Sequence, residues 1–316
     1  MTTPTTEKTA QHALAYRPDV DGLRALAVLG VILFHAGVPG FPGGYVGVDV
    51  FFVISGYLIS GIVIRAIERG TFTFRDFYSR RINRIFPALI LVLVTTLALG
   101  WYLLFRNEFF GLGKHVTAGA GFFSNFALLH ETGYFDDAAE KKPLLHLWSL
   151  AIEEQFYLFW PMLLAISWRI KPRFAWFALL TGLASCALAF ALSSTQHAQS
   201  SFYFPLTRLW ELIAGFALLY LELPAINDPR YRARTPWLPR SNLSADTIAN
   251  LKGWLGLSLI LAAILFLSNK IPWPSPLTIL PVLGSVLVIS AGEKSWVNRK
   301  LFAHPAAVWV GLISYP

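Results

Sequence analysis

Apolar residues in this chain come in long unbroken runs, and polar residues come in short clusters between them. The runs cover about 22–38, 46–66, 85–105, 144–168, 174–192, 204–222, 253–268 and 275–291, and a ninth begins near 305 and continues to Pro316. A helix needs roughly 17–25 mostly apolar residues to cross a hydrocarbon core of about 30 Å. The pattern therefore predicts an all-α, polytopic transmembrane helix bundle with nine spans. A barrel would show short alternating strands, and these runs do not alternate. Residues 109–130 fit neither class: they are moderately apolar but hold Lys114, His115 and Asn125 among glycines, and read as a re-entrant or interfacial segment. The Thr-rich residues 1–15 read as a disordered tail, and 16–316 as one membrane domain. Residues 131–142 are a polar loop, and the Pro- and Arg-rich stretch 223–250 is the one long polar connection.

Composition agrees with the pattern. Only 14% of the residues are charged, against about 25% in soluble domains, and the mean hydropathy is +0.53. The net charge of +8 would suit nucleic acid in a soluble protein. Here the basic residues sit between apolar runs, as cytoplasmic loops do, and no nucleic-acid partner is expected. Placing the N-terminus in the cytoplasm, with 109–130 not crossing, puts 20 of the 26 basic residues inside and five outside, with Arg208 within a span. Making 109–130 a full span would invert every later loop and break the positive-inside bias. The first run resembles a signal peptide, but its leading region is long and contains Asp19 and Asp21, so it reads as an uncleaved span. Cys186 is the single cysteine, which excludes an intrachain disulfide, and no His or Cys spacing suits a metal.

Chemistry enters where polar groups interrupt the apolar runs. Arg24 and His35 are separated by ten residues without a polar side chain, ALAVLGVILF. Eleven helical steps of 1.5 Å put them about 16 Å apart, and ionisable groups held within a membrane are functional by default. Asp21, three residues before Arg24, is its candidate partner. Asp49 lies as far after the turn at Pro42 as His35 lies before it, so a hairpin sets them at matching depth. A carboxylate there would orient the imidazole for general-base work, with Tyr45, Ser55 and Tyr57 as further network members. The blander reading of Asp49 is a helix cap, and of His35 a bond to a backbone carbonyl.

Arg80, Arg81 and Arg84 form a basic cluster, of which Arg81 and Arg84 share a face if the helix continues. Two planar guanidiniums on one face suit phosphate oxygens. In 146–157 (HLWSLAIEEQFY), His146, Ser149, Glu153 and Tyr157 fall on one helical face. Neither Glu153 nor Glu154 would be tolerated against lipid. Arg208 and Glu211, spaced i,i+3, read as an intramembrane ion pair that either locks helices together or serves the site.

These residues also carry a family resemblance. The run RPDVDGLRALAV followed by His35, the motif Gly47 to Tyr57 (GVDVFFVISGY), Arg81 with Arg84, WSLAIEEQFY at 148–157 and RLWE at 208–211 together resemble the membrane acyltransferase-3 family. The resemblance implies ten spans, of which this chain would show nine. It implies O-acylation, most often O-acetylation, with acetyl-CoA or another acyl-CoA as cytoplasmic donor and an extracytoplasmic glycan such as O-antigen or exopolysaccharide as acceptor. It implies a bacterial inner-membrane location and a subgroup that adds a periplasmic SGNH-type domain, a pattern from which this chain departs by ending before the tenth span and any such domain. In this reading His35, Asp49 and Glu153 are catalytic, Arg24, Arg80, Arg81 and Arg84 hold the donor phosphates, and Asp21, Ser55, Tyr57, His146, Ser149, Arg208 and Glu211 support them, with no metal. Two rivals are a secondary transporter of a glycan precursor or small anion, and a non-catalytic scaffold.

Overall fold

A computed structural model describes residues 16–131, 142–167, 170–193, 195, 198–223, 244–268 and 270–314. The tail at 1–15, residues 132–141 of the first expected loop and 224–243 of the second lie outside those residues. Among the described residues the chain is helical throughout, with no strand. The helices are α1 (Pro18–His35), α2 (Gly47–Glu68), α3 (Phe74–Leu103), α4 (Arg106–Ala120), α5 (Ser124–Glu131) and α6 (Leu147–Ser167). They continue with α7 (Lys171–Ser193), α8 (Ala198–Tyr203), α9 (Pro205–Glu222), α10 (Ala245–Phe266), α11 (Ile279–Ala291) and α12 (Pro305–Ile313).

Local signals set several starts. Pro18 opens α1 with Asp19 and Asp21 in its first turn, where the missing N–H costs nothing and acidic groups meet the positive end of the dipole. Thr73 caps α3 by accepting from the Asp76 N–H at 3.1 Å. That cap starts α3 eleven residues before the expected 85, so Arg80, Arg81 and Arg84 sit on helix, and the helix runs on through Pro87. Ser244 caps α10 in the same way, eight residues ahead of the expected start at 253.

Among the described residues, five segments are long and apolar enough to cross a membrane: α2 with its leading turn (Gly44–Glu68), α3, Arg173–Ser193 within α7, α10, and Pro276–Lys294 around α11. This is fewer than the nine expected. The helices α1, α6 and α9 have 18, 21 and 18 residues, but each carries two or more ionisable groups inside its apolar run. Most of those groups turn into the bundle, so bulk apolarity understates how these helices are solvated. The last expected span appears as α12, only 9 residues long. The segment 109–130 divides into α4 and α5, 15 and 8 residues long, each shorter than a span. The break falls at Phe122, which has φ +57° and whose carbonyl accepts from Gln155 Nε2 at 2.8 Å.

Helix α2 is the axis of the bundle. Its most apolar stretch is 67% buried, against 22% for α3 and for α7, which face outward. It packs on α1, α6, α9 and α11. The approach to α9 is close enough that a Cβ on Gly56 would collide with the Leu212 carbonyl, and one on Gly215 with the Val53 carbonyl. This small-residue contact is how helices approach in the absence of a hydrophobic drive between them. It brings Asp49 of α2 against Arg208 and Glu211 of α9.

Candidate active site

Two cavities open along α1, one near each end of the Arg24–His35 stretch. The inner cavity is about 210 Å³ and is lined by Arg24 of α1, Ser55 of α2, Arg81 and Arg84 of α3, Ser149, Glu153, Glu154 and Tyr157 of α6, and Ser314 just past α12. It gathers residues from five parts of the sequence. Tyr157 donates its hydroxyl to Glu153 at 2.8 Å, and the Arg81 guanidinium stacks 3.8 Å above the Tyr157 ring. Arg81 also lies 3.7 Å from Glu154, and Arg24 lies 3.7 Å from Asp21, the partner expected one turn away. Tyr78 ties α3 to α6 by donating to the Leu158 carbonyl at 2.7 Å, which holds Arg81 and Arg84 against Glu153 and Glu154. Arg80 is exposed and does not line the cavity, so the expected group of three loses one member.

The outer cavity is about 460 Å³ and is lined by His35, six aromatic residues and the 270–273 loop, among others. His35 is exposed, and its Nδ1 lies 2.8 Å from the Val31 carbonyl. A carbonyl only accepts, so Nδ1 carries a proton, and in the neutral ring Nε2 keeps its lone pair. His146, at the start of α6, is within electrostatic reach of His35, and Ser149 donates to the His146 carbonyl at 3.2 Å.

The expected His35–Asp49 pair does not form among the described residues. Asp49 is fully buried and accepts from Arg208 at 2.5 Å and from Trp273 Nε1 at 3.4 Å. Arg208 in turn reaches Glu211 at 3.0 Å. The hairpin does bring α2 beside His35, but Val48, not Asp49, faces the cavity; the helical turn points Asp49 toward α9. Tyr57 also lies elsewhere, donating to Glu222 at 2.8 Å. Tyr45 does line the outer cavity.

The sequence profile described as the acyltransferase domain matches residues 17–316. The chain belongs to the acyltransferase-3 family. It is 30% identical over 318 residues to the peptidoglycan O-acetyltransferase OatA of Listeria monocytogenes, covering 98% of this chain and 49% of that protein. It is 33% identical over 317 residues to the putative peptidoglycan O-acetyltransferase YrhL of Bacillus subtilis, covering 98% and 48%. A putative O-acetyltransferase of Staphylococcus aureus is 32% identical over 321 residues, covering 97% and 50%. The chain thus spans about half the length of the curated relatives it matches. No solved structure matches it.

In this acyltransferase-3 chain the motifs divide between the two cavities. Arg81, Arg84 and most of 148–157 belong to the inner one, Arg24 and His35 take one end each, and Arg208 with Glu211 lies behind the outer one. Lys270 and Trp273 were not legible as site residues, since a Lys and a Trp in a short connection read as interfacial anchors. Their proximity to His35 depends on how α10 and α11 return to the bundle.

Proposed function

We propose that this chain is the acyl-transferring membrane part of an O-acetyltransferase, taking the acyl group from acyl-CoA on the cytoplasmic side and delivering it toward an extracytoplasmic glycan. The observation that carries the reading is the pairing, on one helix, of an arginine-lined cavity with a histidine whose Nε2 lone pair is free for chemistry. Arg24, Arg81 and Arg84 suit the donor's phosphate oxygens. The 210 Å³ of the inner cavity is less than the roughly 300 Å³ at which pockets enclose a drug-sized ligand. It therefore takes the phosphate-bearing arm, and the adenosine stays outside.

The thioester then points along α1 toward His35. The acceptor hydroxyl gives its proton to His35 Nε2 as its oxygen bonds to the thioester carbon. The C–S bond breaks, and the imidazolium returns the proton to the departing thiolate. A covalent variant uses the same lone pair to carry the acyl group between donor and acceptor. Glu153, held by Tyr157, polarises groups between the two cavities. Asp49 acts from behind the cavity wall and not on the imidazole. The positive-inside count supports a cytoplasmic N-terminus in a bacterial inner membrane, which puts Arg24 on the donor side and His35 outward. The names of the relatives favour peptidoglycan over O-antigen or exopolysaccharide as acceptor. The relatives are about twice this chain's length, and a domain of the SGNH type is the partner that would complete delivery.

The test is transfer from radiolabelled acetyl-CoA in membranes, comparing the parent with His35→Ala and Arg81→Ala at matched expression. Label is expected on glycan or protein in the parent alone, and acid-labile label on His35 would select the covalent variant. Full transfer by folded His35→Ala would end the proposal, and substrate uptake without any transfer would favour a transporter.

A further inference from the structure

The proposed reaction uses the two cavities along α1. A third opening, a groove of about 1470 Å³, runs along α4 where it leaves the end of α3. Trp101 meets Phe109 at 5.4 Å, a Cβ on Gly119 would meet the Leu93 side chain, and Phe86 meets Phe122 at 5.8 Å. Contacts thus move back along α3 as α4 advances, so α4 turns back beside a membrane-spanning helix. At the turn between them, Trp101, Tyr102 and Phe105 are 77%, 86% and 81% exposed. Exposed aromatic rings at the end of a spanning helix mark the headgroup level.

The groove begins at that level, with exposed Arg106. Lys114 lies eight residues further on, about 12 Å deeper along the axis of α4. Its ammonium sits 5.1 Å from the Phe110 ring, one turn back toward Arg106. A helical side chain leans toward the N-terminus, and a lysine in apolar surroundings reaches for the headgroups. Lys114 therefore presents its charge on the Arg106 side of the groove. Among the described residues neither cation is paired with a carboxylate. Glu108, two residues from Arg106, accepts instead from the Phe105 N–H at 2.9 Å.

Beyond the cations the groove is open and apolar. A Cβ on Gly113 would meet nothing within 4 Å. Thr117 donates its hydroxyl to the Gly113 carbonyl at 2.9 Å, so it demands no partner from the groove. Phe123, also exposed, stands at the far end. Two unpaired cations at the headgroup level, above an open apolar trough, complement a molecule with an anionic head and a hydrocarbon chain.

We propose that the α4 groove is a binding site for an anionic phospholipid, with its phosphate between Arg106 and Lys114 and one acyl chain lying over Gly113 toward Phe123. The site goes beyond the acyl-transfer reading and does not rest on it, because lipid binding needs no donor.

Native mass spectrometry of the chain, released from detergent micelles, measures the retention of phosphatidylglycerol and phosphatidylcholine with identical acyl chains. Both carry the phosphate, and only the first has a net negative charge. The parent should hold one phosphatidylglycerol about tenfold to thirtyfold more tightly than phosphatidylcholine, the effect of two interfacial cations. Replacing Arg106→Ala and Lys114→Ala together, both at exposed positions, should bring the two lipids level. Arg75→Ala removes an exposed cation in the first turn of α3 and should leave the preference unchanged. Gly113→Leu favours the helix but fills the trough, and should weaken both lipids about tenfold with both cations in place. Glycerol phosphate has the charged head without the chains and should displace neither lipid. Equal retention of the two lipids by the parent overturns the proposal, as does a preference that survives the double variant or undiminished retention by Gly113→Leu. Displacement by glycerol phosphate would make the groove a site for a free phosphate and would overturn it as well.

Discussion

The two cavities along α1 are built from opposite materials. The inner one holds three arginines and two glutamates, with Asp21, Glu154 and Tyr157 set against the arginines. The outer one holds aromatic rings, one titratable histidine and the exposed Lys270. Charges collected in a low-dielectric interior have to be paired and hydrogen-bonded, so the inner cavity comes with built-in partners that any anionic ligand must displace or join. The outer cavity carries no such debt on its surface, because its one cation, Lys270, is exposed and the Asp49–Arg208–Glu211 cluster lies behind the wall. The chain therefore separates a site that manages charge from one that supplies shape and a lone pair, and α1 fixes the distance between them.

His35→Ala tests the outer cavity most severely. If Nε2 is the base or carrier, transfer should fall by about 10²–10⁴-fold, the usual worth of a positioned acid or base. Because His35 is exposed and bonded only to its own helix, stability should change by no more than about 0.5 kcal/mol. Rates at matched expression together with a thermal melt check both halves. A large loss of stability would mean that the histidine is part of the packing after all.

The hidden charges should behave the other way. Arg208→Ala leaves Asp49 and Glu211 buried without a cation and should cost about 3–5 kcal/mol of stability. Glu211→Gln leaves a one-to-one pair of Arg208 with Asp49 and should cost less. Thermal unfolding in detergent orders the two variants, and equal losses would mean that the cluster does not share one cation between two carboxylates.

The inner cavity should respond in donor affinity. Arg81→Lys keeps the charge but loses the planar fork and the stack on Tyr157, and should raise the KM for acyl-CoA about tenfold, or about 1.4 kcal/mol, with a smaller change in kcat. Arg80→Ala is the matched control: its side chain is exposed and outside the cavity, so it should leave both constants unchanged.

How much of this the sequence disclosed follows from the range of each interaction. Runs of apolar residues are local, so the helices and most of their limits were legible. So was the Asp21–Arg24 pair, which needs only one turn of helix. The joining of Arg24, Arg81, Arg84 and Glu153 was legible only as a list of residues with similar chemistry. Nothing in the spacing of α3 and α6 says that Tyr78 would tie them together. The pairing of His35 with Asp49 failed for a rotational reason. Matching depth in a hairpin fixes height along the axis, while the helical period fixes direction, and it turns Asp49 toward Arg208. Fewer segments than the nine expected meet the apolarity of a span among the described residues, because hydropathy averages over helices such as α1, α6 and α9 that are polar inside and apolar outside. The role of the 270–273 loop depends on contacts more than 200 residues apart in sequence, which no local pattern encodes.

Tyr157→Phe is the finest cut between the cavities. The phenyl ring stays under Arg81, so the stack that serves the donor side is kept. The hydroxyl that holds Glu153 is lost, at about 1 kcal/mol for a neutral hydrogen bond and more if the carboxylate oxygen stays dry. Donor KM should therefore stay close to that of the parent while kcat falls by up to about tenfold, since 1.4 kcal/mol of barrier is one decade in rate. Tyr157→Leu removes ring and hydroxyl together and should move both constants. Single-turnover and steady-state rates on the two variants separate these effects. If Tyr157→Phe raised donor KM as far as Arg81→Lys does, Glu153 would belong to the machinery that grips the donor, and the chemistry between the cavities would rest on His35 alone.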